Sequence, residues 1–128
     1  MTQTRSRDRY SHDDFVRLAL AEFPELRDEF EDDSGLLHLQ ASAFARLTQT
    51  AKGSGDWAVY ARAVQLADRL FANADDALQN ALAVSYLEHL DFDGPRGDQA
   101  WTYLSPILRD EWRKINAYLG RRVPRSAE

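Results

Sequence analysis

Three features of the sequence predict an all-α fold, a compact bundle of six or seven short helices around a central apolar helix near residues 75–90. Ala and Leu together number 34 against seven Val plus Ile, so residues that lose little rotamer freedom in helices dominate over those that favour strands. Gly and Pro fall where they cut the chain into helix-length pieces. Within those pieces apolar residues recur at helical spacing. At 128 residues and 44% apolar, the chain has the material for one domain with its own core.

Ser11 with Asp14 three positions on has the form of a capping box, and Phe15, Leu18, Ala19 and Leu26 follow at helical spacing, so helix one begins near Ser11. Pro24 should break or kink it, with Glu25 to Glu31 as a second short helix. Helix three is expected from Leu36 to Ala51. Its apolar stripe is Leu37, Gln40, Phe44, Leu47 and Ala51, widened by Leu36, Leu39 and Ala43, and Gly53-Ser54-Gly55 ends it. Asp56 is placed to cap a fourth helix to Ala72 that buries Trp57, Tyr60, Ala61, Val64, Ala67 and Phe71. The fifth, Asp75 to Leu90, is apolar nearly all round, which places it in the middle of the domain. After a loop from Asp91 to Asp98, a sixth helix spans Gln99 to Leu104. Ser105-Pro106 then starts a seventh, carrying Leu108, Trp112, Ile115 and Leu119 and stopped by Gly120. Residues 1–10 and 121–128 read as flexible basic tails around a domain at 11–120. Trp57 and Tyr60 faintly resemble the first helix of a tetratricopeptide repeat, but a 34-residue offset lands on Asp91 and Gly94, so no second copy follows.

Charge narrows the partners. The net charge of −5 divides into +2 over residues 1–12, −7 over 13–33, −3 over 34–108 and +3 over 109–128. An acidic body with two lysines lacks the basic face that replaces counterions on nucleic acid. The longest stretches free of acid, Lys and Arg are Ser34 to Ala45 and Ala77 to Leu87, too short to span a bilayer. No apolar core follows the basic N-terminus as in a signal peptide, so a cytoplasmic location without membrane association is expected. The absence of cysteine excludes disulfides, thiolate metal sites and cysteine nucleophiles.

Chemical motifs are scarce. Ser85 and His89 lie one turn apart on a helix, without the strained G-x-S-x-G turn that presents a nucleophile. His38, Glu88, His89 and Asp91 form a polar or metal-dependent site only if helices three and five cross closely, and no H-E-x-x-H supports one. Counted from Asp91 as an EF-hand loop, position five is Pro95, six is Arg96 and twelve is Thr102, which fails the calcium pattern. Asp56 after Gly53 and Gly55 would repel a phosphate from that helix start. No cofactor is expected. The sharpest functional candidate is the acidic stretch, where Glu22, Glu25, Glu29, Asp32 and Asp33 offer a negative face to a basic protein. Trp57, Tyr60, Trp101, Tyr103 and Trp112 are available as anchors.

The segments GLLHLQASAFARLTQTA (35–51), SGDW (54–57) and NALAVSYLEHLDF (80–92) together resemble a family of small all-helical bacterial proteins classed as a domain of unknown function. The resemblance covers roughly residues 15–118, and VSYLEHLDF is its most specific piece. It implies kinship with small acidic proteins placed among the immunity proteins of bacterial toxin systems. It carries over no catalytic residues, and its recurring positions here are His38, Phe44, Trp57, Tyr86 and His89. The expected function is a non-enzymatic protein-binding domain, an immunity-type antidote that neutralises a basic toxin. The alternatives are an enzyme or metal site around His38 and His89, and a self-associating structural domain built on the apolar fifth helix. Oligomeric state is not legible from the sequence.

Overall fold

The computed structural model describes residues 9–118. Seven α-helices account for most of them: α1 His12–Glu22, α2 Arg27–Asp32, α3 Leu37–Ser54, α4 Trp57–Ala72, α5 Asp76–Ala81, α6 Gly94–Trp101 and α7 Pro106–Tyr118. The all-α expectation holds. Leu119, Gly120 and the tail at 121–128 lie outside the described residues, as do residues 1–8. Arg9 and Tyr10, expected in the N-terminal tail, are tied to the domain. Tyr10 and Ala74 form an isolated parallel bridge, and Arg9 Nη2 donates to the Ala74 carbonyl at 2.9 Å.

Local chemistry sets most boundaries. The capping box of α1 is complete, with the Asp14 N–H donating to Ser11 Oγ and the Ser11 N–H donating to Asp14. Pro24 stops α1 and opens a 3-10 turn, Pro24–Leu26, that leads into α2. Gly55, at φ +74°, ends α3 in the left-handed conformation that favours glycine. Asp56, Asp75 and Ser105 cap α4, α5 and α7 by accepting from backbone N–H groups three residues on.

The fifth and sixth helices depart most from expectation. The fifth helix is α-helical only to Ala81, then becomes a π turn, Leu82–Tyr86, and a 3-10 turn, Leu87–His89, before Leu90 turns extended. The sixth helix is Gly94–Trp101 rather than Gln99 to Leu104, because Pro95 sits in a first turn where no N–H is needed. Gly97 lets α6 pass against its own approach: a Cβ there would meet the Phe92 carbonyl carbon at 2.0 Å.

α3 packs most extensively against α4 and the π turn, which makes the irregular fifth segment central, as its apolar composition implies. Phe15, Phe23, Phe30, Phe44 and Tyr86 form one aromatic group, with Phe44 and Tyr86 stacked at 4.7 Å. Phe92, Trp101 and Trp112 form a second, with edge-to-face contacts of 5.0–5.4 Å. No helix among the described residues is long and apolar enough to cross a membrane.

Candidate functional site

The acidic stretch is distributed over the end of α1, the 3-10 turn and α2, and its carboxylates have different surroundings. Glu22 accepts from Arg62 Nε of α4 at 2.8 Å, and Arg62 also covers the Phe23 ring. Glu29 pairs with Arg46 of α3. Two of the five candidate acids therefore carry a local counter-charge. Asp33 is half-buried where α2 ends. Glu25 and Asp32 are exposed, as are Asp28 and Glu31, and none of these four makes an ion pair among the described residues. Glu31 and Asp32 stand in the last turn of α2, which holds no basic residue.

The alternative polar set separates into two places along α3. His38 Nδ1 lies 2.7 Å from Ser85 Oγ on the π turn, and Ser42 Oγ donates to the Ser85 carbonyl at 3.4 Å. Asp91 lies at the far end of α3, accepting from Gln49 Nε2 at 2.8 Å and from Lys52 Nζ at 2.7 Å. Residues 38 and 49 are eleven apart, about 17 Å along a helix. His89 is exposed in the 3-10 turn and Glu88 half-buried beside it. Among the described residues, no group of three or more His, Asp or Glu could hold a metal ion.

Ser85 and His38 are in hydrogen-bond contact, in an arrangement that differs from a Ser-His-Asp triad. The imidazole meets the hydroxyl through Nδ1, and no third group orients it through Nε2 among the described residues. Ser85 is also 8% exposed. The contact fastens the π turn to the first turn of α3.

Sequence reasoning missed the polar groups that hold α3 in place. Gln40 is 3% exposed, donates to the Phe30 carbonyl at 3.0 Å and meets His12 Nε2 at 2.5 Å. A polar residue inside an apolar stripe was its signal. Lys52 is nearly buried, and its ammonium donates to both the carboxylate and the carbonyl of Asp91. Burial raises the Asp91 carboxyl, but the Lys52 hydrogen bond and charge, the Gln49 amide and the Asp93 N–H outweigh it, so its pKa falls below the usual value. Thr48 Oγ1 and Tyr86 OH share a hydrogen bond of 2.9 Å in the core. Burial pushes the Tyr86 phenol up, and burial with the nearby Asp91 charge does the same for Tyr60. Both phenols are therefore neutral at ordinary pH.

Of the candidate anchors, Tyr60, Trp101 and Trp112 are core residues. Trp57 and Tyr103 are half-buried and stacked at 5.6 Å. Leu36 and Leu39, expected to widen the buried stripe of helix three, are instead 52% and 50% exposed, while their neighbours His38 and Gln40 meet the π turn and α2. No curated protein and no solved structure matches the chain. Residues 16–120 match the family described as Domain of unknown function (DUF7674), and the chain belongs to that family.

Proposed function

We infer that the domain is a non-enzymatic protein-binding module that docks a basic protein against α2 and its flanking turns, as an antidote would neutralise a toxin. The observation that carries this reading is the gathering of four exposed carboxylates, Glu25, Asp28, Glu31 and Asp32, that have no ion partner among the described residues. Two of them, Glu31 and Asp32, oppose the partial negative charge at the end of their own helix, an arrangement that costs roughly 0.3–1 kcal/mol for each. Charge so placed does not serve the stability of the fold. A complementary basic surface would reverse that cost, speed the encounter and reject acidic competitors. The resemblance to immunity proteins makes a basic toxin the partner class to test first.

The experiment is titration calorimetry against a basic protein encoded beside this chain, at about 50 and about 300 mM salt. Affinity should fall as salt rises. The triple variant Glu25→Lys, Asp28→Lys, Asp32→Lys should weaken binding by at least about tenfold and flatten the salt dependence. A demonstrated partner whose affinity and salt dependence are the same for the variant refutes the reading.

A further inference from the structure

Three consecutive residues of α3 define an open strip on the surface. His38 reaches the π turn through Ser85, and Gln40 reaches α2 through the Phe30 carbonyl. Successive helix residues point about 100° apart, so Leu39 projects between the two elements that its neighbours hold. Ser42 continues the π-turn border through the Ser85 carbonyl, and Arg46, seven residues on and nearly in line with Leu39, closes the strip by pairing with Glu29 of α2. Leu36 opens the strip at its N-terminal end, and Val84 stands beside Ser85 on the π-turn side. Leu36, Leu39 and Val84 are three of the five exposed large apolar side chains among the described residues. Their grouping marks a contact surface better than scattered exposure would.

The borders differ in charge. α2 carries the exposed carboxylates Asp28, Glu31 and Asp32, whereas residues 82–86 of the π turn carry no charge. A purely basic surface would leave the leucines in water, and an uncharged helix would leave the carboxylates unmatched. We propose that the partner's docking element is an amphipathic helix lying along α3 between α2 and the π turn. Its apolar residues at i, i+3, i+4 and i+7 would cover Leu36, Leu39 and Val84, with Lys or Arg on the flank facing α2. This rests on the protein-binding reading above and adds the chemistry of the bound element.

The test is fluorescence anisotropy with three labelled helix-forming peptides: Leu anchors with a basic flank, the same charge with Gln anchors, and the same Leu anchors with an acidic flank. The first should bind at least about tenfold tighter than either of the others. Leu39→Asp, and independently Leu36→Asp, should remove that preference while leaving the weaker, salt-dependent binding of the Gln peptide. Both residues are exposed, and unchanged thermal melts would show the variants folded. Equal binding of the Leu and Gln basic peptides overturns the strip and leaves the acidic-face reading standing. Equal binding of the basic and acidic Leu peptides overturns the charge assignment. No binding by any peptide at about 1 mM overturns the strip as a helix-docking site and leaves the acidic-face reading to its own titration. If light scattering finds a dimer that Leu39→Asp converts to monomer, the occupant is a second copy and the proposal is wrong.

Discussion

Replacing Asp91 with Ala tests the energetic role of the contact that closes the far end of α3. The substitution removes acceptors at 2.7 Å from Lys52 Nζ and 2.8 Å from Gln49 Nε2, leaving the ammonium only the Asp91 carbonyl at 2.8 Å. The Lys52 side chain is 10% exposed, so its charge cannot regain full hydration. Breaking a fully buried pair costs about 3–5 kcal/mol. The Asp91 side chain, however, is 59% exposed, and solvent screening brings the expected cost to about 2 kcal/mol. For a domain of this length that is a fall of about 8 °C in melting temperature. Urea unfolding monitored by circular dichroism would measure it, with Lys52→Met as the background that removes the stranded charge. In that background Asp91→Ala should cost less than about 0.5 kcal/mol. Equal cost in both backgrounds would refute the coupling. The pH dependence has a fixed sign. The folded carboxyl has a lower pKa than the unfolded one, so the unfolded chain binds more protons between the two values. The contribution is present above the ordinary carboxylate pKa and is lost as pH falls through the folded value.

Two further substitutions probe packing in opposite directions. Tyr60→Phe removes a buried hydroxyl that has no hydrogen-bond partner among the described residues, so thermal melts should show no loss of stability and a gain of up to about 1 kcal/mol; a loss of stability would reveal a partner for the phenol. Gly97→Ala places a methyl group 2.0 Å from the Phe92 carbonyl carbon, which backbone movement alone can relieve. Overpacking of that kind costs about 3 kcal/mol or more, and a melting temperature unchanged by the substitution would show that α6 does not approach Phe92 so closely.

The elements legible in the sequence are those whose boundaries rest on local chemistry. Ser11 with Asp14, Asp56 and Ser105 act as caps through their own side chains, and Gly55 ends α3 through its own φ. Composition also placed the fifth segment at the centre, because a surface apolar all round has to be covered from several sides. What stayed hidden depends on residues distant in sequence. Gly94-Pro95 is compatible with a turn or with a helix start, and the close passage of Gly97 against Phe92 accompanies the second outcome. Leu36 and Leu39 fit a buried stripe by spacing, and their exposure depends on the tertiary packing of α2 and the π turn on either side of α3. Of the candidate site, the acidic segment was visible as composition, but the pairing of Glu22 with Arg62 and Glu29 with Arg46 required the packing of α1 and α2 on their neighbours.

The irregularity of the fifth segment follows from what it has to reach. Ser85 meets His38 and Asp91 meets Lys52, so a six-residue step on one chain spans fourteen residues of α3. At about 1.5 Å per residue, α3 covers about 21 Å between those contacts, whereas six residues of continued α-helix would cover about 9 Å. Long side chains at Gln49 and Lys52 take up part of the difference. Unwinding into a 3-10 turn and then extended backbone at Leu90 takes up more, because each of those conformations rises further per residue than an α-helix. The π turn sets the start of that path. It buries Ser85 and Tyr86 against His38 and Thr48 and leaves Val84 outward, one residue from the contact beside Leu39. The open strip on α3 is thus a by-product of fastening this segment to both ends of one helix, and loosening either fastening should disturb the proposed docking surface together with the fold.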